Sequence, residues 1–234
     1  MGKAGLAEKS GESSALKTQK QRTACKRKFL RYFRNGFADE KYIAWEREYK
    51  WKAHLEFAEQ LNRKRFEVLL KQKKYAEIAQ EAVRIESRTN LLFSFEKMAL
   101  RDAVKTPAGA RLFAEGLFRL VYGEGDIKER FEFWVECVRR LPRKQTRVLT
   151  WPLVTVFGFL ANPEEHIFLK PRVTQVAAEN YRYPFYYTSK PQWETYQSLL
   201  DFAEQVGKDV QSLKPRDYID LQSFIWVLGS DEYP

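Results

Sequence analysis

The sequence predicts an all-α protein, with one compact multi-helix domain over residues 29–234 behind a disordered, basic N-terminal tail over residues 1–28. Three observations lead there. Apolar side chains recur every three or four residues through most of the chain, the spacing of one helix face. Helix punctuation falls between those runs, as Thr-Pro or Asp-x-x-Glu starts and Gly or Pro stops. The positive charge is concentrated at one end. Hydrophobic residues make up 44% and aromatics 15% of the 234 residues, enough to close a core in a chain of this size.

Residues 1–24 are rich in Gly, Ser, Lys and Ala, so ordering them buries too little to offset the chain entropy lost. Within residues 1–28, Lys3, Lys9, Lys17, Lys20, Arg22, Lys26, Arg27 and Lys28 face only Glu8 and Glu12, so more than half of the net charge of +10 lies here. The run CKRKFLRYFRNGF then interleaves bases with Phe29, Tyr32, Phe33 and Phe37, and order is expected to begin within it.

From Asp39 onward Tyr42, Trp45, Tyr49, Trp51, Leu55 and Ala58 recur at helical intervals, which predicts a helix to about Leu61 with this stripe as one face. A basic stretch with Phe66, Leu69 and Leu70 follows, and Tyr75, Ile78, Ala82 and Ile85 mark another helix. Thr89-Asn90 offers a break and a new cap before LLFSFEKMALRDAVK. Thr106-Pro107 is an N-cap with proline at the first helical position, ahead of a stripe that ends at Gly123. Asp126 with Glu129 opens the next helix, whose buried face is Ile127, Phe131, Trp134, Val138 and Leu141. Thr150 caps WPLVTVFGFLA, which is apolar on every side and is therefore the expected centre of the core. Pro171 starts a helix reaching about Tyr181, Pro191 and Pro215 start the last two, and Gly229 is the expected C-cap of the final one.

Several classes lose support. The longest apolar stretch, residues 151–161, is far shorter than the roughly 20 residues of a membrane-spanning helix, so no membrane partner is expected. The N-terminus lacks the apolar core of a secretory signal. Cys25 and Cys137 cannot build a disulfide framework, and with His54 and His166 they show no ligand-type spacing. Free thiols, no metal and a cytoplasmic location are expected. No Walker loop, GxGxxG, HExxH, GxSxG or CxxC occurs, and no cofactor is expected.

The residues that remain point to polyanions. Lys26, Arg27, Lys28, Arg31 and Arg34, joined by Arg172, are the expected phosphate contacts, while the interleaved rings either stack on unpaired bases or dock the arm on the core. Three groups are candidates for catalysis. His166 in PEEHIFLKP suits a general base or a backbone-bonded loop histidine. Lys170 stands between Leu169 and Pro171 at the mouth of a helix, where a partly desolvated amine has a lowered pKa and gains nucleophilicity, or where a lysine binds phosphate. Asp220 lies four residues from Arg216, the spacing of an intrahelical ion pair.

The motifs NLLFSFEKMALRDAV, TWPLVTVFGFLANPEEHIFLKP and IDLQSFIW together resemble a family of bacterial proteins without assigned function, over nearly everything after about residue 30. The resemblance implies an intact single domain. At the level of fold, the apolar helix, the short loop, the K-P-x-V helix start and the closing D-x-x-x-F-x-W are similar to the C-terminal half of helix-hairpin-helix DNA glycosylases. That likeness implies a hairpin binding a backbone phosphate and an aspartate just ahead of the next helix. Here LTWPLV replaces the glycine-rich hairpin and Lys170 falls at the aspartate position. The expectation is a nucleic-acid-binding protein, with DNA the expected ligand and a glycosylase-like chemistry centred on Lys170. The alternative is a noncatalytic helical interaction module whose loop 181–187 supplies Tyr and Phe anchors to a protein partner.

Overall fold

A segment that is apolar all round must be enclosed, and the chain folds around the one it has. A computed structural model describes residues 4–142, 144 and 148–234, with side chains described from residue 16 onward. The described residues form helices and no strand. In order they are α1 (Ala4–Tyr32), α2 (Glu40–Tyr42), a π-helical turn (Ile43–Arg47), α3 (Glu48–Gln60), α4 (Arg63–Lys71), α5 (Tyr75–Ser87), α6 (Ser94–Val104), α7 (Pro107–Tyr122), α8 (Ile127–Arg140), α9 (Trp151–Ala161), α10 (Pro171–Tyr181), α11 (Trp193–Asp209) and α12 (Tyr218–Gly229).

Helix α9 is the predicted WPLVTVFGFLA segment. Every residue from 151 to 160 is buried, and the helix is held against α3, α5, α7 and α8. Thr150 caps it through the N–H of Leu153, as Thr106 caps α7 and Asp126 caps α8. On the other side α10 and α12 pack together, with α1 lying across both.

The ordered body begins earlier than residue 29. Cys25, Phe29 and Phe33 lie at four-residue intervals on one face of α1 and are buried with Phe37, while Arg22 pairs with Asp209 and Lys26 bonds Ser212. Burying each ring is worth about 1.5 to 3 kcal/mol, enough to draw the inner half of the arm onto the body. Residues 1–3 and the side chains of 4–15, part of the stretch expected to be disordered, lie outside the described residues.

A larger departure concerns the helix after Asp39. Its buried face is Tyr42, Glu46, Arg47, Lys50, Ala53 and Phe57; of the predicted stripe only Tyr42 is buried, Tyr49 is half-buried, and Trp45, Trp51, Leu55 and Ala58 are exposed. The π turn lets consecutive residues Glu46 and Arg47 both turn inward, where Asp217 and Asp220 receive Arg47 and where Lys50 and the Tyr233 hydroxyl meet Glu46. Smaller shifts have local causes. The Thr89 hydroxyl bonds the Glu86 carbonyl and so closes α5, and α6 opens instead at Ser94, where Glu96 accepts the Phe93 N–H. Helix α11 starts at Trp193, two residues after Pro191. Asp217, accepting the N–H groups of Ile219 and Asp220, sets the start of α12 beyond Pro215. Gly229 is inside α12, and a Cβ there would lie 2.0 Å from the Val173 carbonyl of α10, so it serves close helix packing and Ser230 is the cap.

Candidate functional site

Part of the aromatic stripe that the fold leaves outside the core lines a cavity. Trp45 and Tyr49 form one wall of a recess of about 860 Å³. Its other walls are the segment leading into α6, the N-terminal turns of α9 and α10, and the face of α12 that carries Gln222 and Trp226. Trp45, Phe93 and Phe95 are 56%, 53% and 46% exposed, and the last two are stacked with centroids 5.6 Å apart. Rings so exposed were not spent on folding, and they offer flat apolar faces to a ligand.

The inner end of the cavity is polar. Lys50, 1% exposed, donates to Ser223 Oγ at 2.8 Å and stands 3.5 Å from a Glu46 carboxylate oxygen, whose other oxygen accepts the Tyr233 hydroxyl. Burial pulls the Lys50 amine below its ordinary value, against the opposing pull of Glu46. Gln222 on the same wall is 4% exposed, and its Oε1 has no hydrogen-bond partner.

Behind this wall α12 is fixed to the helix that carries the π turn. Asp220 accepts the Tyr42 hydroxyl at 2.6 Å, Arg47 Nη1 at 2.8 Å and three N–H groups of Arg216 at 2.9 to 3.0 Å. Arg47 also meets Asp217 with both of its terminal nitrogens, at 2.8 and 2.7 Å. Burial works against the Arg47 charge, yet Asp217 and Asp220 more than compensate and hold its pKa above the ordinary arginine value.

At the mouth, Lys170 is the N-cap residue of α10. Its Nζ donates to the Leu91 carbonyl at 3.0 Å and rests 3.5 Å from the centre of the Phe93 ring. Burial lowers its pKa, with Glu96 pulling the other way. Arg172, one turn-position further, is exposed and also lines the recess. The first N–H groups of a helix have no intrahelical partner and carry partial positive charge, so this corner gathers donors from side chain and backbone alike.

The sequence candidates therefore separate. Lys170 and Arg172 share the cavity. Asp220 is saturated behind it, in the ion pair with Arg216 that its spacing suggested. His166 is elsewhere: it is buried against Gly158, with Nδ1 3.2 Å from the Tyr196 hydroxyl and Nε2 3.5 Å from Glu165, and burial pushes its pKa down to about 4. A general base sealed in the core cannot reach a ligand, so its placement is structural.

Among the arm residues, Arg27 and Arg34 are exposed, Lys28 is half-buried, Lys26 is held by Ser212, and Arg31 bonds the terminal oxygen of Pro234. Of the rings between them Phe29 and Phe33 are sealed in the core, and Tyr32 is half-buried against Tyr233. In the loop 181–187 Tyr181 is buried, Tyr183 and Phe185 pack on Phe202, and Tyr186 is the exposed aromatic. That loop is thus not a row of free anchors, because its rings complete the core around α11.

Lys50, Gln222, Phe93, Phe95 and Trp226 are site residues that sequence reasoning passed over. The legible signal was an excess of aromatics on the helix after Asp39 together with Glu46, Arg47 and Lys50 on the competing face. No family model matches the chain, and no curated protein or solved structure matches it either. Among the described residues no helix is long and apolar enough to cross a membrane.

Proposed function

We propose that the chain binds single-stranded or locally unstacked nucleic acid, most naturally DNA, by taking a nucleotide into this cavity with its phosphate beside Lys170 and Arg172. The observation that carries the proposal is the meeting, in one recess of about 860 Å³, of exposed ring faces and two cations at a helix N-terminus. A base stacked on an aromatic side chain gains about 1 to 3 kcal/mol, and the N-terminus of a helix is a ready anion site. Of the three acids that line the recess, Glu46 takes Lys50 and Tyr233, Glu96 takes the Phe93 N–H and the Thr150 hydroxyl, and Glu232 is exposed. Arg27 and Arg34 add sequence-independent attraction for the rest of the strand.

Affinity for single- and double-stranded DNA measured across a salt series tests this. Binding should weaken steeply with salt and favour the single strand, and Lys170→Ala and Arg172→Ala should each lower the slope of log K against log salt by about 0.7. A flat salt response overturns the proposal. Lys170 is also the amine we propose for attack on a sugar carbon, its lowered pKa and place in the recess supporting that role; borohydride trapping on an abasic-site duplex, lost in Lys170→Ala, tests that chemistry.

One observation favours the interaction-module reading. Phe93, Phe95 and Met98 form an exposed apolar group at the start of α6. A protein partner retained from nuclease-treated lysate and lost in Met98→Glu, which leaves the cavity walls in place, would support it.

A further inference from the structure

A strand with one nucleotide in the cavity has to continue past it, and the walls show where its next phosphate finds a partner. A second recess, of about 400 Å³, adjoins the cavity, and Leu149 and Ser189 line both. Val138, Leu141 and Val148 give it a buried apolar floor, and its cations are Arg139 and Lys190. Among the described residues no acid lines it. Lys190 is exposed and is in no ion pair among those residues, while Arg139, 57% exposed, pairs with Glu136 on its own helix. A third recess, of about 450 Å³, has the opposite character. Glu164, Glu204 and Asp217 line it, and its two cations are already taken, Lys208 by Glu204 and Arg216 by Asp220. A phosphate gains nothing there.

The wall shared by the cavity and the second recess is anchored. Trp151 Nε1 donates to the Thr188 carbonyl at 2.7 Å, the Thr188 N–H donates to the Thr195 hydroxyl at 3.2 Å, and the Thr188 hydroxyl donates to the Lys190 carbonyl at 2.9 Å. Ser189 sits inside this set of bonds. It directly precedes Lys190, so their Cα atoms are about 3.8 Å apart and the Lys190 side chain starts at the edge of the shared wall. We infer that the recess beside Lys190 is a second phosphate subsite, which takes the backbone of the neighbouring nucleotide and gives a bound strand its exit from the cavity over Ser189. Lys190 and Arg139 hold that phosphate by charge, and the apolar floor faces its sugar. A mononucleotide fills the cavity alone. A longer ligand engages both recesses at once and gains affinity with no new contact in the cavity.

This inference rests on the nucleic-acid reading, and the two fail differently. The experiment is competition of unlabelled thymidine mono-, tri- and hexanucleotides against a labelled single strand. It is run on the full chain, on Lys190→Glu, and on Lys208→Glu, which reverses the same charge in the acidic recess. In the parent chain affinity should rise roughly tenfold or more from mononucleotide to hexanucleotide, and Lys190→Glu should remove most of that gain while leaving the mononucleotide within about twofold. Lys208→Glu should leave the gain in place. A hexanucleotide that binds no better than the mononucleotide overturns the subsite and leaves nucleic-acid binding standing. Equal losses in the two variants also overturn it, because they assign the effect to net charge alone. Where the mononucleotide is too weak to compete, the hexanucleotide losses in the two variants decide: a greater loss in Lys190→Glu supports the subsite and an equal one overturns it. Failure of every strand to bind overturns both.

Discussion

Asp220 spends its carboxylate on five hydrogen bonds from Tyr42, Arg47 and Arg216, and the price of removing it is set by the groups it leaves behind. Asp220→Ala should destabilise the fold by roughly 1 to 3 kcal/mol, because it leaves the buried Tyr42 hydroxyl without its acceptor and takes away one of the two carboxylates that hold Arg47. Urea unfolding checks this, and a loss below about 1 kcal/mol would show that the network is dispensable. His166 gives a prediction with a definite sign. Its pKa falls from the ordinary 6.5 to about 4 in the folded chain, with Glu165 raising it and Arg130 lowering it after burial has acted. The unfolded chain therefore binds the extra proton between these values. Its stabilising contribution is complete above pH 6.5 and disappears as pH falls toward 4, in total about 3 kcal/mol. His166→Gln should flatten stability against pH across that window. An unchanged slope would contradict the placement of this side chain in the core. Both residues were legible as chemically capable groups, and the Arg216 pair of Asp220 was readable from its spacing; their full burial was not, since Tyr42 and Arg47 lie far from Asp220 in sequence and Tyr196 far from His166.

At the scale of the helix, local signals located the elements whose ends are fixed locally. The capped starts of α7, α8, α9 and α10 fall where Thr106, Asp126, Thr150 and Pro171 put them. Orientation is a different matter. For the helix after Asp39 two faces competed, one aromatic and one charged, and the charged face turned inward because Asp217 and Asp220 wait for it on α12. Nothing within the segment announces those partners, so the cavity its aromatic face lines was equally hidden. Close packing gives a test here. Gly229→Ala would drive a methyl group into the Val173 carbonyl and should cost roughly 1 to 3 kcal/mol by forcing α10 and α12 apart. A thermally unchanged variant would contradict the close approach. Amide exchange should likewise divide the described part of α1, with slow exchange from Cys25 onward, where the rings dock, and faster exchange at Leu16, Lys17, Gln19 and Lys20, which are exposed. Uniform protection along α1 would contradict docking by the inner half alone.

For the whole molecule, the function we propose divides the binding work between a cationic first helix, which gathers polyanions, and the aromatic cavity, which takes in a nucleotide. The all-helical class and the concentration of charge were readable from composition and periodicity, whereas the cavity arises where segments far apart in sequence meet. The measurement that bears most directly on its role is ultraviolet cross-linking of the full chain to a mixed-sequence single-stranded oligonucleotide, followed by peptide mapping. Cross-links are expected at Phe93, Phe95 and Trp226 around the cavity. Cross-links confined to α1, with the cavity peptides unmodified, would show that the strand is held by charge alone and that the cavity serves something else.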